Sequence, residues 1–101
     1  MKTWILAALC AGLAIAGSAQ ANAELARTKN CMACHALDKK VIGPAFRDVA
    51  AKYSGQKDAD ARLAASITKG STGTWGPMAM PPNGVSAAEA QTLARWVLAQ
   101  K

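Results

Sequence analysis

The sequence predicts an all-α domain in which about four short helices surround a long irregular loop. No segment after residue 23 alternates apolar and polar residues with the period of two that marks a strand. Residues 70–83 contain three Gly and three Pro, which excludes regular structure there. Ser86 and Glu89 form a capping box, and the apolar stripe that follows has helical spacing: Ala90, Leu93, Ala94, Val97 and Leu98.

The first 23 residues have the pattern of a secretory signal peptide. A basic residue near the start is followed by an apolar stretch and by the small-residue site Ala-Asn-Ala. The apolar stretch has about thirteen residues, fewer than the ~20 that span a bilayer, so we expect removal and no stable membrane insertion afterwards. We favour cleavage after Ala23 over cleavage after Ala21 or Ala19, which leaves residues 24–101 as the mature domain.

Three helices are expected before the one that the capping box opens. Residues 24–29 begin with an acidic side chain, which suits the helix macrodipole. They lead to Asn30, a residue type that tolerates the left-handed conformation ending many helices. A second helix is expected over residues 44–53, and a third over residues 58–69, where Asp58 is a good N-cap.

The apolar side chains of this domain are too few to fill a core. Chains of under about 80 residues seldom bury enough apolar surface without a staple. After residue 23 the chain has one Phe, one Tyr, two Trp and two Cys. We therefore expect a bound group to occupy the centre of the fold.

Residues 31–35 read Cys-Met-Ala-Cys-His, the C-x-x-C-H pattern of covalent haem attachment. On a helical turn Cys31 and Cys34 share a face and can add to the two vinyl groups along one porphyrin edge. His35 is then carried beneath the ring, where it can bind the iron. A thioredoxin-like dithiol needs a βαβ context, a structural zinc site needs four ligands, and a disulfide would leave the core unfilled. We predict one haem c joined through two thioethers.

The iron needs a second axial ligand that is not histidine, because His35 is the only histidine in the chain. A thioether paired with histidine is the ligand set of cytochromes c. Met32 lies inside the attachment motif on the histidine side of the ring and cannot reach across. Met78 and Met80 lie in a loop that prolines stiffen, and only one of them can bind. Spacing alone does not choose between them.

The mature chain resembles the small bacterial class I cytochromes of the c551/c552 (c8) type over nearly its whole length. The matching segments are Cys31–His35, Val41–Phe46, Asp48–Ala50, Gly73–Pro77, Met80–Asn83, Glu89–Gln91 and Trp96-Val97. The resemblance implies a small monohaem fold whose helices wrap around the haem. In this family the methionine before Pro-Pro is the axial ligand, which here is Met80. Met78 stands where a plain apolar residue is usual.

The resemblance also implies roles for residues around the haem. The carbonyl of Pro44 should accept the other ring N–H of His35. Trp75 should donate its indole N–H to a haem propionate, and Asn83 should help to orient the Met80 loop.

The resemblance also implies one contact between helices, and this sequence departs from the family pattern at three positions. The helix that contains Trp96 should pack across the N-terminal helix. Asn30 stands where glycine commonly precedes the motif, Phe46 replaces a tyrosine, and Ser66 stands where some relatives have a basic residue near a propionate.

The charge predicts partners of the opposite sign. The chain has 12 basic and 6 acidic side chains, a formal net charge of +6. The basic residues are scattered and aromatic residues are rare, so we expect no nucleic-acid binding. A mild positive field instead favours acidic redox partners, and Lys29, Lys39 and Lys40 are candidates for steering their approach.

These observations together predict a carrier of single electrons and no catalytic residue. With His35 and Met80 both bound, the iron has no open position for a substrate. We expect a monomeric periplasmic protein that shuttles electrons between respiratory-chain donors and a terminal reductase or oxidase. Two alternatives remain: a peroxidase-like haem enzyme with a displaceable methionine, and a subunit of a larger oxidoreductase.

Overall fold

A computed structural model describes residues 22–101, so the predicted signal peptide lies outside the described residues except for its last two. Four helices follow in order: α1 over residues 22–28, α2 Phe46–Tyr53, α3 Ala59–Lys69 and α4 Ala87–Leu98. A short 3-10 turn, Cys31–Ala33, follows α1. Between residues 22 and 101 there is no β-strand, only two isolated bridges that pair His35 with Lys40 and Ser71 with Met80. The all-α prediction is confirmed.

The end of α1 leads directly into the attachment motif. Asn30 has φ 65°, in the left-handed region, as its residue type predicts. Its backbone N–H donates to the carbonyl of Arg27 at 3.1 Å, and its own carbonyl accepts from Ala33 at 3.2 Å. The left-handed turn at Asn30 therefore leaves only two residues between the end of α1 and the first cysteine of the motif.

Helix α2 begins where carbonyl groups of the preceding loop satisfy its first amides. The backbone N–H of Phe46 donates to Ala36 at 2.9 Å, and that of Arg47 donates to Leu37 at 3.0 Å. These bonds replace partners that the first turn of a helix lacks. They also tie the start of α2 to the segment that follows the motif, and the helix ends at Tyr53 as predicted.

The predicted side-chain cap of α3 is wrong, although the helix begins where expected. Asp58 occupies the N-cap position with φ 58° and its side chain accepts no capping hydrogen bond. A side-chain cap needs an extended backbone at that residue, and the left-handed conformation turns the carboxylate away. The backbone N–H of Ala61 instead donates to the Asp60 carboxylate at 2.9 Å.

Helix α4 forms the centre of the core and has the predicted capping box. The N–H of Glu89 donates to Ser86 Oγ at 3.0 Å, and the N–H of Ser86 donates to Glu89 Oε1 at 2.9 Å. The helix packs against both α2 and α3. One cluster of buried side chains results: Ala26, Phe46, Val49, Leu63, Ile67, Ala90, Leu93, Ala94 and Val97.

Helix α4 also meets the N-terminal helix, as the family resemblance implies. Ala26 of α1 is fully buried in the same cluster as Leu93 of α4. Beyond the end of α1, Lys29 Nζ lies 3.4 Å from Glu89 Oε2. Trp96 packs its ring edge-on against Phe46 with centroids 5.5 Å apart. None of the helices within residues 22–101 is long and apolar enough to cross a membrane.

Candidate functional site

A large cleft opens beside the core, between the attachment motif and the irregular loop. Its volume is about 730 Å³, within the ~300–1,000 Å³ usual for cofactor sites. Its walls are mostly apolar, and every residue predicted to hold the haem lines it: Cys31, Cys34, His35 and Met80. Side chains from near both ends of the domain thus meet in one cavity, which fits a flat apolar cofactor.

The two cysteines lie half-buried on a single turn of the chain. The backbone N–H groups of Cys34 and His35 both donate to the carbonyl of Cys31, at 3.2 and 3.0 Å. Both cysteines are free, so the disulfide that the sequence allowed is not formed. Burial raises the pKa of the Cys31 thiol, and the nearby Cys34 raises it further.

The imidazole of His35 is held in one orientation by a backbone carbonyl. Its Nδ1 lies 2.8 Å from the carbonyl oxygen of Pro44. Because a carbonyl only accepts, Nδ1 must carry the proton, and Nε2 is left with the lone pair that a metal needs. The contact implied for Pro44 is confirmed.

Two more residues confine the same imidazole. The ring of Phe46 stacks on that of His35, with centroids 4.8 Å apart and an angle of 23° between the planes. On another side is Gly43, where an added Cβ would stand 2.5 Å from His35 Cε1. Nothing in the sequence pattern predicted this contact of Gly43 with His35. The proline directly after it, whose carbonyl was expected to hold His35, was the available clue.

The loop that carries Met80 is anchored at two points. Met80 and Ser71 exchange backbone hydrogen bonds of 2.8 and 2.9 Å. The side-chain amide of Asn83 donates to the carbonyls of Ile67 at 3.1 Å and Pro81 at 3.3 Å. Asn83 therefore ties the segment after Met80 to the end of α3, which is the orienting role that the resemblance implies.

The two candidate methionines differ in their surroundings. Met80 is half-buried and packs against the core cluster. The Met78 side chain also lines the cleft, but it is 66% exposed. Gly70 has φ 85°, and a Cβ there would stand 2.7 Å from the carbonyl oxygen of Met80. The fold thus confines the Met80 segment closely and leaves Met78 in solvent, which favours Met80 as a ligand.

Trp75 lies at the edge of the cleft and is 39% exposed. Lys52 of α2 places its ammonium 5.3 Å from the Trp75 ring centroid, within the range of a cation–π contact. Ser66 also lines the cleft. The donation of the Trp75 indole N–H to a propionate stays a prediction.

Comparison with known proteins decides the family. The family model for cytochrome c matches residues 19–101. The chain belongs to the cytochrome c family. Cytochrome c-551 of Pseudomonas aeruginosa is 54% identical, with all of both chains covered. Cytochrome c-552 of Hydrogenobacter thermophilus is 50% identical, again with all of both chains covered.

A solved structure extends the agreement to three dimensions. The crystal structure of wild-type Nitrosomonas europaea cytochrome c552 superposes with a TM-score of 0.76 at 51% identity. The match covers 78% of this chain and 99% of that one. The small cytochrome c fold is thereby confirmed, and membership in the family means that the chain carries covalently bound haem c and serves electron transport.

A structural zinc ion takes four protein ligands. Among residues 22–101, no group of three or more His, Cys, Asp or Glu side chains could hold a metal ion.

Proposed function

We propose that this cytochrome c is a periplasmic single-electron carrier whose haem is joined to Cys31 and Cys34 and whose iron is bound by His35 and Met80. The observation that carries the proposal is the meeting of these four side chains in one apolar cleft. Bound haem supplies an iron that changes its charge by one unit. The protein residues hold that iron and control its surroundings.

The attachment side of the cleft is built to hold an imidazole still. Cys31 and Cys34 anchor the ring edge through thioethers, and the turn between them fixes the position of His35. Donation from His35 Nδ1 to the Pro44 carbonyl makes Nε2 more basic and keeps it in the metal-binding tautomer. A ligand held in this way needs little rearrangement between the two oxidation states, which favours fast electron transfer.

The opposite side of the cleft supplies a thioether on an anchored loop. The backbone bridge to Ser71 and the Asn83 amide restrain the segment on both sides of Met80. With Met80 and His35 both holding the iron, the protein itself would supply both ligands beyond the porphyrin, and no site would be left for a substrate to bind the metal. A carrier is therefore favoured over a peroxidase, which would need a methionine that leaves readily.

The mouth of the cleft has the features of a transient docking surface. Exposed apolar side chains surround it: Val41, Ile42, Trp75 and Met78. Lys40 lines the cleft, and Lys39 is exposed next to it. We propose that a redox partner with an acidic rim docks here briefly and leaves the cytochrome monomeric. Donors in the respiratory chain and a terminal reductase or oxidase are the expected partner classes.

We propose that residues 1–23 are a signal peptide that directs export to the periplasm and is then removed, which leaves residues 24–101 as the cytochrome domain. Residues 22 and 23 already belong to α1, so the preferred cut after Ala23 shortens this helix, whereas a cut after Ala21 retains both residues. The mass of the exported protein distinguishes the two cleavage sites.

The proposed ligand set is tested by matched methionine variants of the holoprotein. Met80→Ala should abolish the far-red charge-transfer band of the oxidised protein, which reports sulfur bound to ferric haem. Met78→Ala should keep the band. Loss of the band in Met78→Ala but not in Met80→Ala would show that Met78 is the ligand and would contradict the proposal. A wild-type protein that is five-coordinate and turns over peroxide would instead support the enzyme alternative.

A further inference from the structure

Met78 carries a sulfur at the mouth of the cleft that the proposed ligation of the iron does not use. The residue is 66% exposed, compared with 38% for Met32. Met80, two residues further on, is half-buried against the core and would have its sulfur lone pair bound to iron. Met78 is therefore the methionine of residues 22–101 that is most open to a dissolved reagent.

The chemistry of an exposed thioether is oxygen-atom transfer from a peroxide. The sulfur lone pair attacks one oxygen of a hydroperoxide, the O–O bond breaks, and the products are a sulfoxide and water or an alcohol. Sulfur loses two electrons and the peroxide gains them, so neither the haem iron nor another oxidant is needed. The product is polar and chiral, and methionine sulfoxide reductases can return it to the thioether.

The position of Met78 gives this reaction a consequence for electron exchange. Met78 lies in the same exposed apolar rim as Trp75, Val41 and Ile42, around the opening through which electrons must leave the cleft. A sulfoxide oxygen buried in a docked interface without a donor loses its hydrogen bonds to water and so opposes docking. Oxidation would thus weaken docking while the iron ligands remain in place.

We propose that Met78 is a peroxide-reactive site whose oxidation to the sulfoxide slows electron exchange at the docking surface without disturbing the haem ligands. The proposal rests on the proposed function, since it concerns the same surface. It adds a reversible modification through which the rate of electron exchange would depend on the peroxide concentration around the protein.

The first part of the test locates the added oxygen. The reduced and oxidised holoproteins are treated with limiting hydrogen peroxide and digested with trypsin. Met78 and Met80 lie on the same peptide, Gly70–Arg95, so fragment ions must assign the oxygen to one of them. We expect Met78 to be modified first, with the charge-transfer band of the oxidised protein unchanged. Modification of Met80 or Met32 before Met78 would overturn the proposal.

The second part measures exchange without an unknown partner. Electron self-exchange between the ferrous and ferric proteins is followed by NMR line broadening, at high salt to screen the repulsion of two positive copies. The purified Met78-oxidised form should exchange more slowly by about tenfold. An unchanged rate would contradict the proposal.

Matched variants separate this site from other effects of peroxide. Met78→Leu should exchange at the same rate before and after treatment, whereas Met32→Leu should keep the peroxide response of the wild type. If peroxide still slows self-exchange in Met78→Leu, the reactive site is another residue and the proposal is wrong. Failure of the proposed function would look different, because the untreated protein would then lack the haem spectrum or the charge-transfer band.

Discussion

Gly43 lies against the imidazole of His35 so closely that a β-carbon on residue 43 would stand 2.5 Å from Cε1 and 2.9 Å from Nδ1. The imidazole cannot simply move aside, because Nδ1 is bound to the Pro44 carbonyl at 2.8 Å and Phe46 stacks on its face. A methyl group at position 43 must therefore displace the proposed iron ligand or the backbone around it.

Gly43→Ala should destabilise the holoprotein by about 1–3 kcal/mol, the usual cost of overpacking a filled site. Denaturant unfolding measures this loss, and the visible spectrum should show a perturbed histidine ligand. Gly84→Ala is the matched control, because a Cβ at Gly84 would meet nothing within 4 Å. Equal stabilities of the two variants would show that the close approach to His35 is unimportant.

Gly70→Ala should loosen the Met80 loop. Gly70 has φ 85°, and its added Cβ would stand 2.7 Å from the Met80 carbonyl oxygen. We expect a stability loss of about 1–3 kcal/mol from the strained backbone, together with weakening of the charge-transfer band. Gly73 also has a positive φ, 79°, but a Cβ there would meet no atom within 4 Å. Gly73→Ala should therefore lose stability and keep the band. Loss of the band in both variants would contradict a specific role for Gly70.

Acid should weaken the contacts that Asp60 and Glu89 make. The N–H of Ala61 is the main cause that lowers the pKa of Asp60, and the N–H of Ser86 is the main cause that lowers the pKa of Glu89. A carboxyl group with a lowered pKa stabilises the fold above its unfolded pKa, and this contribution is lost as the pH falls through the folded value. Stability should thus fall below about pH 4.

Asp60→Asn and Glu89→Gln should each be less stable than the wild type at neutral pH, and the difference should shrink in acid. Urea unfolding across this pH range measures both effects. Asp38→Asn is the control, since the Asp38 carboxylate makes no ion pair within the described part of the chain. A difference that stays constant down to low pH would refute the electrostatic origin.

Lysines near the cleft mouth should steer anionic electron donors. Reduction of the ferric protein by ferrocyanide should slow as salt is added, because screening removes the attraction. The double change Lys39→Ala with Lys40→Ala should flatten this dependence. Lys57 is exposed but does not line the cleft, so Lys57→Ala should leave the dependence close to that of the wild type. A rate that does not vary with salt would exclude steering by charge.

Local features of the fold followed from the sequence pattern, while contacts between distant residues followed only from the family resemblance or were missed. The Asn30 turn, the capping box of Ser86 and Glu89, and the end of α2 at Tyr53 depend on neighbouring residues, and all three were predicted correctly. The cap at Asp58 failed because its backbone is left-handed, a property that a favourable residue type does not reveal.

Part of the candidate site could be predicted because its residues are close neighbours in the attachment motif. Cys31, Cys34 and His35 are adjacent, so their joint position followed from one turn. The choice between Met78 and Met80 needed the family resemblance, because spacing treats them alike and only packing against the core separates them. The contact of Gly43 with His35 depends on how a loop folds back, and no periodicity in the sequence carries that information.

The most direct test of the account is the mass and visible spectrum of the exported protein purified under denaturing and native conditions. A single haem joined to Cys31 and Cys34 predicts a coloured polypeptide that keeps its haem after denaturation, with the mass of the mature chain plus one haem. The native oxidised protein should show the charge-transfer band of a methionine ligand. A colourless protein at its peptide mass, or haem that is lost on denaturation, would contradict the central claim.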